Sequence, residues 1–222
     1  MKYIYHHLGL GDHIICNGLV RQLISLNEMY VMFVKPHNKI SVEFMYRDLT
    51  NLSFIAGDDY FVNRFISENN IQNNDLIICG FSSGFNCTWD EAFYAQHKID
   101  FKERWLSFKI KRDEIREQYL YNFLNPNDEK FVLIHKSGSD DFDRINYNVI
   151  NPNLKKIYVE KHTENIFDYL KLIELAEEIH CVDSSVLHLI DSVLSCDNLF
   201  YHKNYKQRTE INSVQNKKWK II

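Results

Sequence analysis

The fold of this chain is best indicated by the stretch HCVDSSVLHLID, which runs from His180 to Asp191. A short apolar run ends in Asp183, Ser184 and Ser185, and an apolar-faced segment follows at once. This order is typical of a buried parallel strand that passes directly into a helix. The start of such a helix offers free backbone N–H groups and the positive end of the helix dipole, which favour an anionic phosphate group.

A second passage from strand to helix lies near the N-terminus. Residues 3–5 are aromatic or apolar, residues 9–12 read GLGD, and apolar side chains recur at helical spacing over residues 14–26. Two such passages, one in each half of the chain, predict two α/β units facing a shared cleft.

The rest of the chain alternates in the same way. Short β-branched or aromatic runs predict strands at 2–5, 30–35, 52–55, 75–79, 131–135, 157–159, 179–182 and 199–201. Helical patterns between them favour parallel sheets, so the predicted fold class is α/β with two small Rossmann-like domains. Residues 89–124 read as one long helical region, and the NPND turn at 125–128 places the domain boundary between residues 125 and 126.

Composition excludes several classes of protein. The net charge of -4 gives no polyanion-binding signal, so we expect no nucleic-acid partner. The five cysteines show no CxxC pair, and free thiols predict a reducing, cytoplasmic location. No apolar run approaches the ~18 residues of a membrane span, which predicts no transmembrane segment and leaves a peripheral membrane contact open.

The GLGD segment does not complete a dinucleotide fingerprint. Ile14 occupies the place of the third glycine, and Lys35 and Pro36 follow the second strand where an acid would bind a ribose. A Rossmann oxidoreductase is therefore disfavoured. The alternative is a tight turn that brings Asp12 to the mouth of the cleft, with His13 beginning the helix; equally, Asp12 caps that helix.

Polar residues follow three strands of the second half. Asp183 or Ser184 caps the predicted helix and leaves other N–H groups, such as that of Ser185, free for phosphate. His188, one turn further, packs in the core or faces the cleft.

A cation in the loop after the strand at 131–135 would neutralise a diphosphate. This loop offers Lys136, Ser137 and Arg144, although Asp140, Asp141 and Asp143 also allow a solvated acidic loop. The loop at 160–165 brings Glu160 to the same edge, where it would meet a nucleobase or ribose.

These motifs resemble the heptosyltransferase-like glycosyltransferases, family 9 of the GT-B fold. The GLGD segment and Arg21 in the following helix are similar to that family's GxGD…LR opening, and residues 182–189, VDSSVLHL, resemble its nucleotide-binding DSGxxH motif. Residues 165–169 and 176–180 also look like the second domain of small viral and bacterial glycosyltransferase-like proteins. Ser185 stands where the motif has glycine.

The resemblance implies an acceptor-side domain at 1–125 and a nucleotide-sugar-binding domain at 126–222. It implies that Asp12 is the general base. If Asp12 only caps the helix, His13 or Glu160 is the next candidate. It also implies a donor site that contains Gly11, Asp183, Ser184, Ser185 and His188, beside the cations of the loop at 136–148.

The expected function is inverting, metal-independent transfer of a sugar from a nucleotide-diphosphate sugar to a glycan or lipid-linked acceptor hydroxyl, with no further cofactor. The alternative is a non-catalytic nucleotide-sugar or glycan-binding protein on a degenerate GT-B scaffold, which Ser185 favours.

Overall fold

The computed structural model describes residues 1–80, 86–138, 142–203 and 219–222. The chain divides into two compact units, Met1–Lys111 (unit 1) and Arg112–Ile222 (unit 2). Each unit contains one sheet in which all paired strands are parallel. The predicted fold class is therefore confirmed. Within the described residues, no helix is long and apolar enough to cross a membrane.

The sheet of unit 1 has the strand order β3-β2-β1-β4. Its strands are β1 (Lys2–His6), β2 (Tyr30–Val34), β3 (Leu52–Ala56) and β4 (Leu76–Cys79). The chain moves from β1 to β2 and β3 on one side, and β4 then pairs with the opposite edge of β1. The direction of winding therefore reverses between β1 and β4.

The described helices of unit 1 cover this sheet. They are α1 (Leu10–Ile15), α2 (Asn17–Leu23), α3 (Lys39–Met45), α4 (Asp59–Glu68), α5 (Trp89–Ala95) and α6 (Glu103–Leu106). The central strands are apolar on both faces, as a covered parallel sheet requires. Ile4 and Met32, for example, have no exposed surface.

The first helical segment is interrupted at Cys16, where the sequence predicted one continuous helix. The Tyr94 hydroxyl donates to Ile15 O at 2.6 Å and accepts from Leu19 N at 3.2 Å. A side chain from α5 has thus inserted between a carbonyl and the amide four residues later, which breaks the helical ladder.

The sheet of unit 2 has the order β6-β5-β7-β8-β9. Its strands are β5 (Phe131–His135), β6 (Lys155–Tyr158), β7 (Glu178–Cys181), β8 (Leu199–Tyr201) and β9 (Trp219–Ile221). The chain places β6 on one side of β5 and β7 on the other, so the winding reverses between β5 and β7. The described helices of this unit are α7 (Glu114–Leu124), α8 (Leu170–Leu175) and α9 (Ser185–Ser192).

The helical region expected over residues 89–124 consists of three helices, α5, α6 and α7. Lys98 has a φ of 57°, which ends helical structure after α5. Asp113 then caps α7 by accepting from Arg116 N at 3.2 Å. The boundary between the two units lies before α7, whereas the NPND turn had placed it after this helix. Helix α7 belongs to unit 2 because Arg116 at its start binds Asp168 in the same unit, with 2.7 Å between Nη2 and Oδ2.

Candidate functional site

The reversal between β5 and β7 creates a candidate site in unit 2. In an open parallel sheet, ligands bind outside the carboxyl ends of the strands where the winding reverses. His135 pairs with Cys181 at the ends of these two strands. The loops that leave them carry Lys136 and Asp183, so this edge collects the polar residues that the sequence predicted.

Helix α9 begins at this edge with a side-chain cap. Ser184 is extended and its Oγ accepts from Leu187 N at 3.4 Å, while it also donates to Val182 O at 3.1 Å. Ser184, and not Asp183, is therefore the N-cap. The N–H groups of Ser185 and Val186 lie in the first turn, where a helix supplies no acceptor for them. These two groups and the helix dipole make the start of α9 suited to an anion.

The loop after β5 passes directly beside this helix start. A Cβ built on Gly138 would lie 2.9 Å from Asp183 O, so only glycine permits this approach without a shift of the backbone. Lys136 and Ser137, both half-buried, are therefore held next to the start of α9.

The next strand contributes Glu160. Its Oε1 lies 3.4 Å from Lys136 Nζ, and the two side chains are 48% and 42% exposed. The Tyr169 hydroxyl accepts from Glu160 N at 3.2 Å and donates to Glu160 O at 2.9 Å. Because Tyr169 occupies both backbone groups, only the carboxylate of Glu160 remains for a ligand or for Lys136.

Arg144 lies in the same loop as Lys136 and is tied to it through the backbone. Arg144 N donates to Lys136 O at 3.0 Å. The next residue, Ile145, is buried in a cluster with Val132, Ile134 and Val182. The loop is thus anchored in the core beside β5 and the end of β7, and the structure brings the Arg144 backbone to the same edge as the α9 start.

His188 lies inside unit 2 and does not present an exposed ring. Its side chain is 5% exposed, and Nε2 lies 3.9 Å from Asp183 Oδ1. That distance exceeds a hydrogen bond, so the pair interacts by charge when the ring is protonated. His188 is thus a buried neighbour of Asp183, whose side chain is 34% exposed.

The edge of unit 1 is organised differently. Helix α1 begins at Leu10 after Gly9, which provides no side-chain cap. Gly11, Asp12 and His13 thus lie within the first turns of the helix, and the expected helix start at His13 is wrong. A Cβ built on Gly9 would lie 2.5 Å from Asp12 Oδ2. The half-buried Asp12 carboxylate is therefore folded back over Gly9.

His13 is a core residue in this structure. It has no exposed surface, and its ring lies edge-on to His6 with 4.2 Å between centroids. Neither ring nitrogen of His13 has a hydrogen-bond partner, and burial holds its pKa well below the ordinary value. A side chain without exposed surface does not reach an acceptor hydroxyl, which leaves Asp12 as the candidate base of this edge.

Within residues 1–80, 86–138, 142–203 and 219–222, no three histidine, cysteine or acidic side chains form a potential metal site. Asp140 and Asp141 lie outside the described residues. Of the three acids in this loop, the structure describes Asp143. Its carboxylate accepts from Ile145 N and from the Tyr147 hydroxyl.

Comparison with known proteins bears on the fold. No protein-family model matches the sequence, and no curated protein matches it. Among solved structures, the chain is similar to ADP-heptose LPS heptosyltransferase II of E. coli, with a TM-score of 0.56 and 7% sequence identity. The match covers 100% of this chain and 90% of the E. coli protein. The resemblance inferred from the two motifs is thereby confirmed at the level of the fold: this chain has a heptosyltransferase-like GT-B fold.

Proposed function

We propose that the chain is a glycosyltransferase that moves a sugar from a nucleoside-diphosphate sugar to a hydroxyl of a glycan or lipid-linked acceptor. The observation that carries this proposal is the β5–β7 edge of unit 2. There a capped helix start, Lys136 and Glu160 lie together at the reversal of the sheet. The E. coli protein of similar fold is an ADP-heptose heptosyltransferase, which makes ADP the first nucleotide to test.

The diphosphate is assigned to the start of α9. The free N–H groups of Ser185 and Val186 would donate to phosphate oxygens, and Lys136 and Arg144 would neutralise the negative charge. Glu160 would accept from the ribose hydroxyls, since its carboxylate is half-exposed. When a phosphate binds Lys136, the Lys136–Glu160 ion pair would separate, and the Glu160 carboxylate would become available to the ribose.

The chemical step requires a base and a stabilised leaving group. Asp12 would remove the proton of the acceptor hydroxyl as its oxygen attacks the anomeric carbon. The bond from that carbon to the diphosphate breaks, and the diphosphate leaves with its charge held by the α9 start and the two cations. Attack from the face opposite the leaving group inverts the anomeric configuration. We propose that cations replace a metal in this step.

The second candidate function is nucleotide-sugar or glycan binding without transfer. It is favoured by Ser185, which stands where the family motif has a glycine that lets the backbone approach phosphate. It is also favoured by the Asp12 carboxylate, which is folded over Gly9. A binder of this kind would retain nucleotide without releasing sugar.

A thermal-shift series with ADP, UDP, GDP and CMP, and then with the corresponding sugars, tests the donor site. At one hundred times its Kd, a nucleotide stabilises the folded state by about 2.7 kcal/mol. We expect one nucleoside diphosphate to raise the Tm clearly more than the monophosphate CMP does. No response to any of these nucleotides would contradict both candidate functions that involve a donor.

Release of sugar from the best donor separates the enzyme from the binder. An enzyme should hydrolyse or transfer the sugar, and the rate should persist in EDTA. A rate that disappears in EDTA and returns with Mn²⁺ would contradict the metal-independent mechanism.

A further inference from the structure

Unit 2 contains two buried histidines that the proposed transfer reaction does not use. His180 lies on β7 with no exposed surface, and His202 follows β8 with 3% exposed. Their rings are joined by a hydrogen bond of 2.9 Å between His180 Nδ1 and His202 Nε2. His202 in turn accepts from Asn146 N through Nδ1 at 3.1 Å.

These contacts fix the tautomer of both rings. Because the Asn146 N–H donates to Nδ1, His202 must carry its hydrogen on Nε2. That hydrogen is donated to His180 Nδ1, so His180 carries its own hydrogen on Nε2. His180 Nε2 has no hydrogen-bond partner, and Glu178 Oε2 lies 3.5 Å from it.

One added proton disrupts this arrangement wherever it binds. The neutral pair carries two ring hydrogens, one on Nε2 of each histidine. An added proton must therefore bind His202 Nδ1, or bind His180 Nδ1 and break the inter-ring bond. A hydrogen on His202 Nδ1 faces the Asn146 N–H and removes its acceptor. The chain from Asn146 to His180 is therefore intact only while both rings are neutral.

The Asn146 end of this chain belongs to the loop that carries Arg144. Arg144 N is bound to the end of β5 through Lys136 O, and Asn146 N is bound to the residue after β8. Ile145 lies between these two anchors and is buried. Loss of the His202 anchor would free the Asn146 side of this segment while the Lys136 side remains attached.

We propose that His202, oriented by His180, is a proton-sensitive positioning residue that holds the Arg144 loop at the candidate donor site. This inference rests on the proposed function for the role of Arg144. A proton on His202 Nδ1 would release the Asn146 anchor, loosen the loop and weaken the binding of a nucleoside diphosphate.

The charged surroundings explain why the rings are neutral near pH 7. Among the described side chains, Glu178 on β7, Lys220 on β9 and Asp143 in the loop face the pair. Burial lowers the pKa of His180 to about 4, and Lys220 lowers it further in the same direction. Burial and His180 likewise lower the pKa of His202 to about 4, against a raising effect of Asp143.

The test uses the full chain and three forms of residue 202. In His202→Asn the side-chain oxygen can accept from Asn146 in place of Nδ1, and the amide does not titrate; in His202→Leu the acceptor is lost. NMR would follow the Asn146 amide and both rings from pH 8 to pH 4, and calorimetry would measure ADP affinity over the same range.

We expect the Asn146 amide of the wild type to titrate with the rings, at a midpoint below the ordinary 6.5 of histidine. His202→Asn should retain ADP binding and lose the Asn146 titration. Because ADP itself is protonated equally in both proteins, this variant separates the effect of His202 from that of the ligand. His202→Leu should bind ADP about tenfold more weakly at neutral pH. In an Arg144→Ala background, His202→Leu should cause little further loss, because the cation it positions is absent.

Several results would overturn the proposal. They are an Asn146 amide that is unmoved while the rings titrate, His202→Leu with wild-type ADP affinity, and equal losses with and without Arg144. A chain that binds no ADP at any pH would contradict the proposed function, and the Asn146 titration would still decide whether the histidine anchor exists. That titration needs only the wild type, so it does not depend on the folding of either variant.

Discussion

The two sheets reverse their winding in the same way, but the residues at the two reversals differ. In unit 1, α1 is six residues long, starts without a side-chain cap and carries the buried His13. In unit 2, α9 is eight residues long, starts at the capping Ser184 and lies beside Lys136. Topology therefore marks two candidate edges, and side-chain chemistry distinguishes them.

Under the proposed function, the two edges have different roles. The edge of unit 2 combines free helix N–H groups with cations, which suits a diphosphate. The edge of unit 1 offers the Asp12 carboxylate, which suits proton transfer and repels phosphate. The following predictions separate the two edges by asking which step each substitution affects.

Asp12→Asn should have the largest effect on the rate of transfer. A general base contributes ~10²–10⁴-fold to rate, and asparagine keeps the shape of the side chain without accepting the proton. We expect near-normal ADP binding and a near-normal Tm. Asp58→Asn is the matched control, because Asp58 follows β3 at the same sheet edge and only caps α4, accepting from Phe61 N at 2.8 Å. Full activity of Asp12→Asn would make Asp12 a structural residue of α1.

Acid should destabilise unit 1 through its own histidine pair. Burial lowers the pKa of His6 to about 4, below the ordinary 6.5. Between these values the unfolded chain binds more protons, so stability is complete above pH 6.5 and falls as the pH is lowered toward 4. At ~1.4 kcal/mol per pKa unit, His6 alone accounts for about 3 kcal/mol.

Urea unfolding at pH 7 and pH 4.5 measures this loss. His13→Leu should reduce the pH dependence without lowering stability at pH 7, since neither ring nitrogen of His13 has a partner to lose. His180→Leu should lower stability at pH 7, because it leaves the His202 Nε2–H without its acceptor. Equal effects of the two substitutions would remove this distinction between the units.

Lys136→Ala should weaken ADP binding without changing the fold. A hydrogen bond to a charged group contributes about 1.5–3 kcal/mol, which corresponds to a loss of roughly 10- to 150-fold in affinity. Lys130→Ala is the matched control. Lys130 precedes β5 at the opposite edge of the same sheet and is 79% exposed, paired with Glu177. Calorimetry should find wild-type ADP affinity for Lys130→Ala; equal losses in both variants would indicate only a general charge effect.

The smallest predicted effect concerns the cap of α9. Ser184→Ala removes the acceptor of Leu187 N and should lower the free energy of unfolding by about 1 kcal/mol. Asp183→Ala should cost less stability, since Asp183 is not the cap, and should change ADP affinity through His188. Denaturant unfolding of both variants would contradict this assignment if Asp183→Ala were the more destabilising.

The local pattern of the sequence was enough to locate strands β1 to β8, because each is an apolar run bounded by polar residues. The pattern did not find β9, which has only three residues and contains Lys220. It also showed no break within the helical region at 89–124, which Lys98 and Asp113 divide into α5, α6 and α7. A positive φ at lysine is imposed by its surroundings and leaves no signature in the sequence.

The sequence also predicted the polar residues of the candidate donor site, because Lys136, Glu160 and Asp183 each follow a strand. It could not decide which strands are neighbours. Pairing between β5 and β7 joins residues more than forty positions apart in the chain, and it alone brings Gly138 against Asp183.

Periodicity and turn chemistry thus determined the α/β class, most of the strands and the polar residues at their ends, since these depend on neighbours in the chain. The tertiary structure decided the strand order, the insertion of Tyr94 into the first helix, the burial of His13 and the bond between His180 and His202. Each of these depends on contacts between distant segments, and such contacts form only when the sheets assemble.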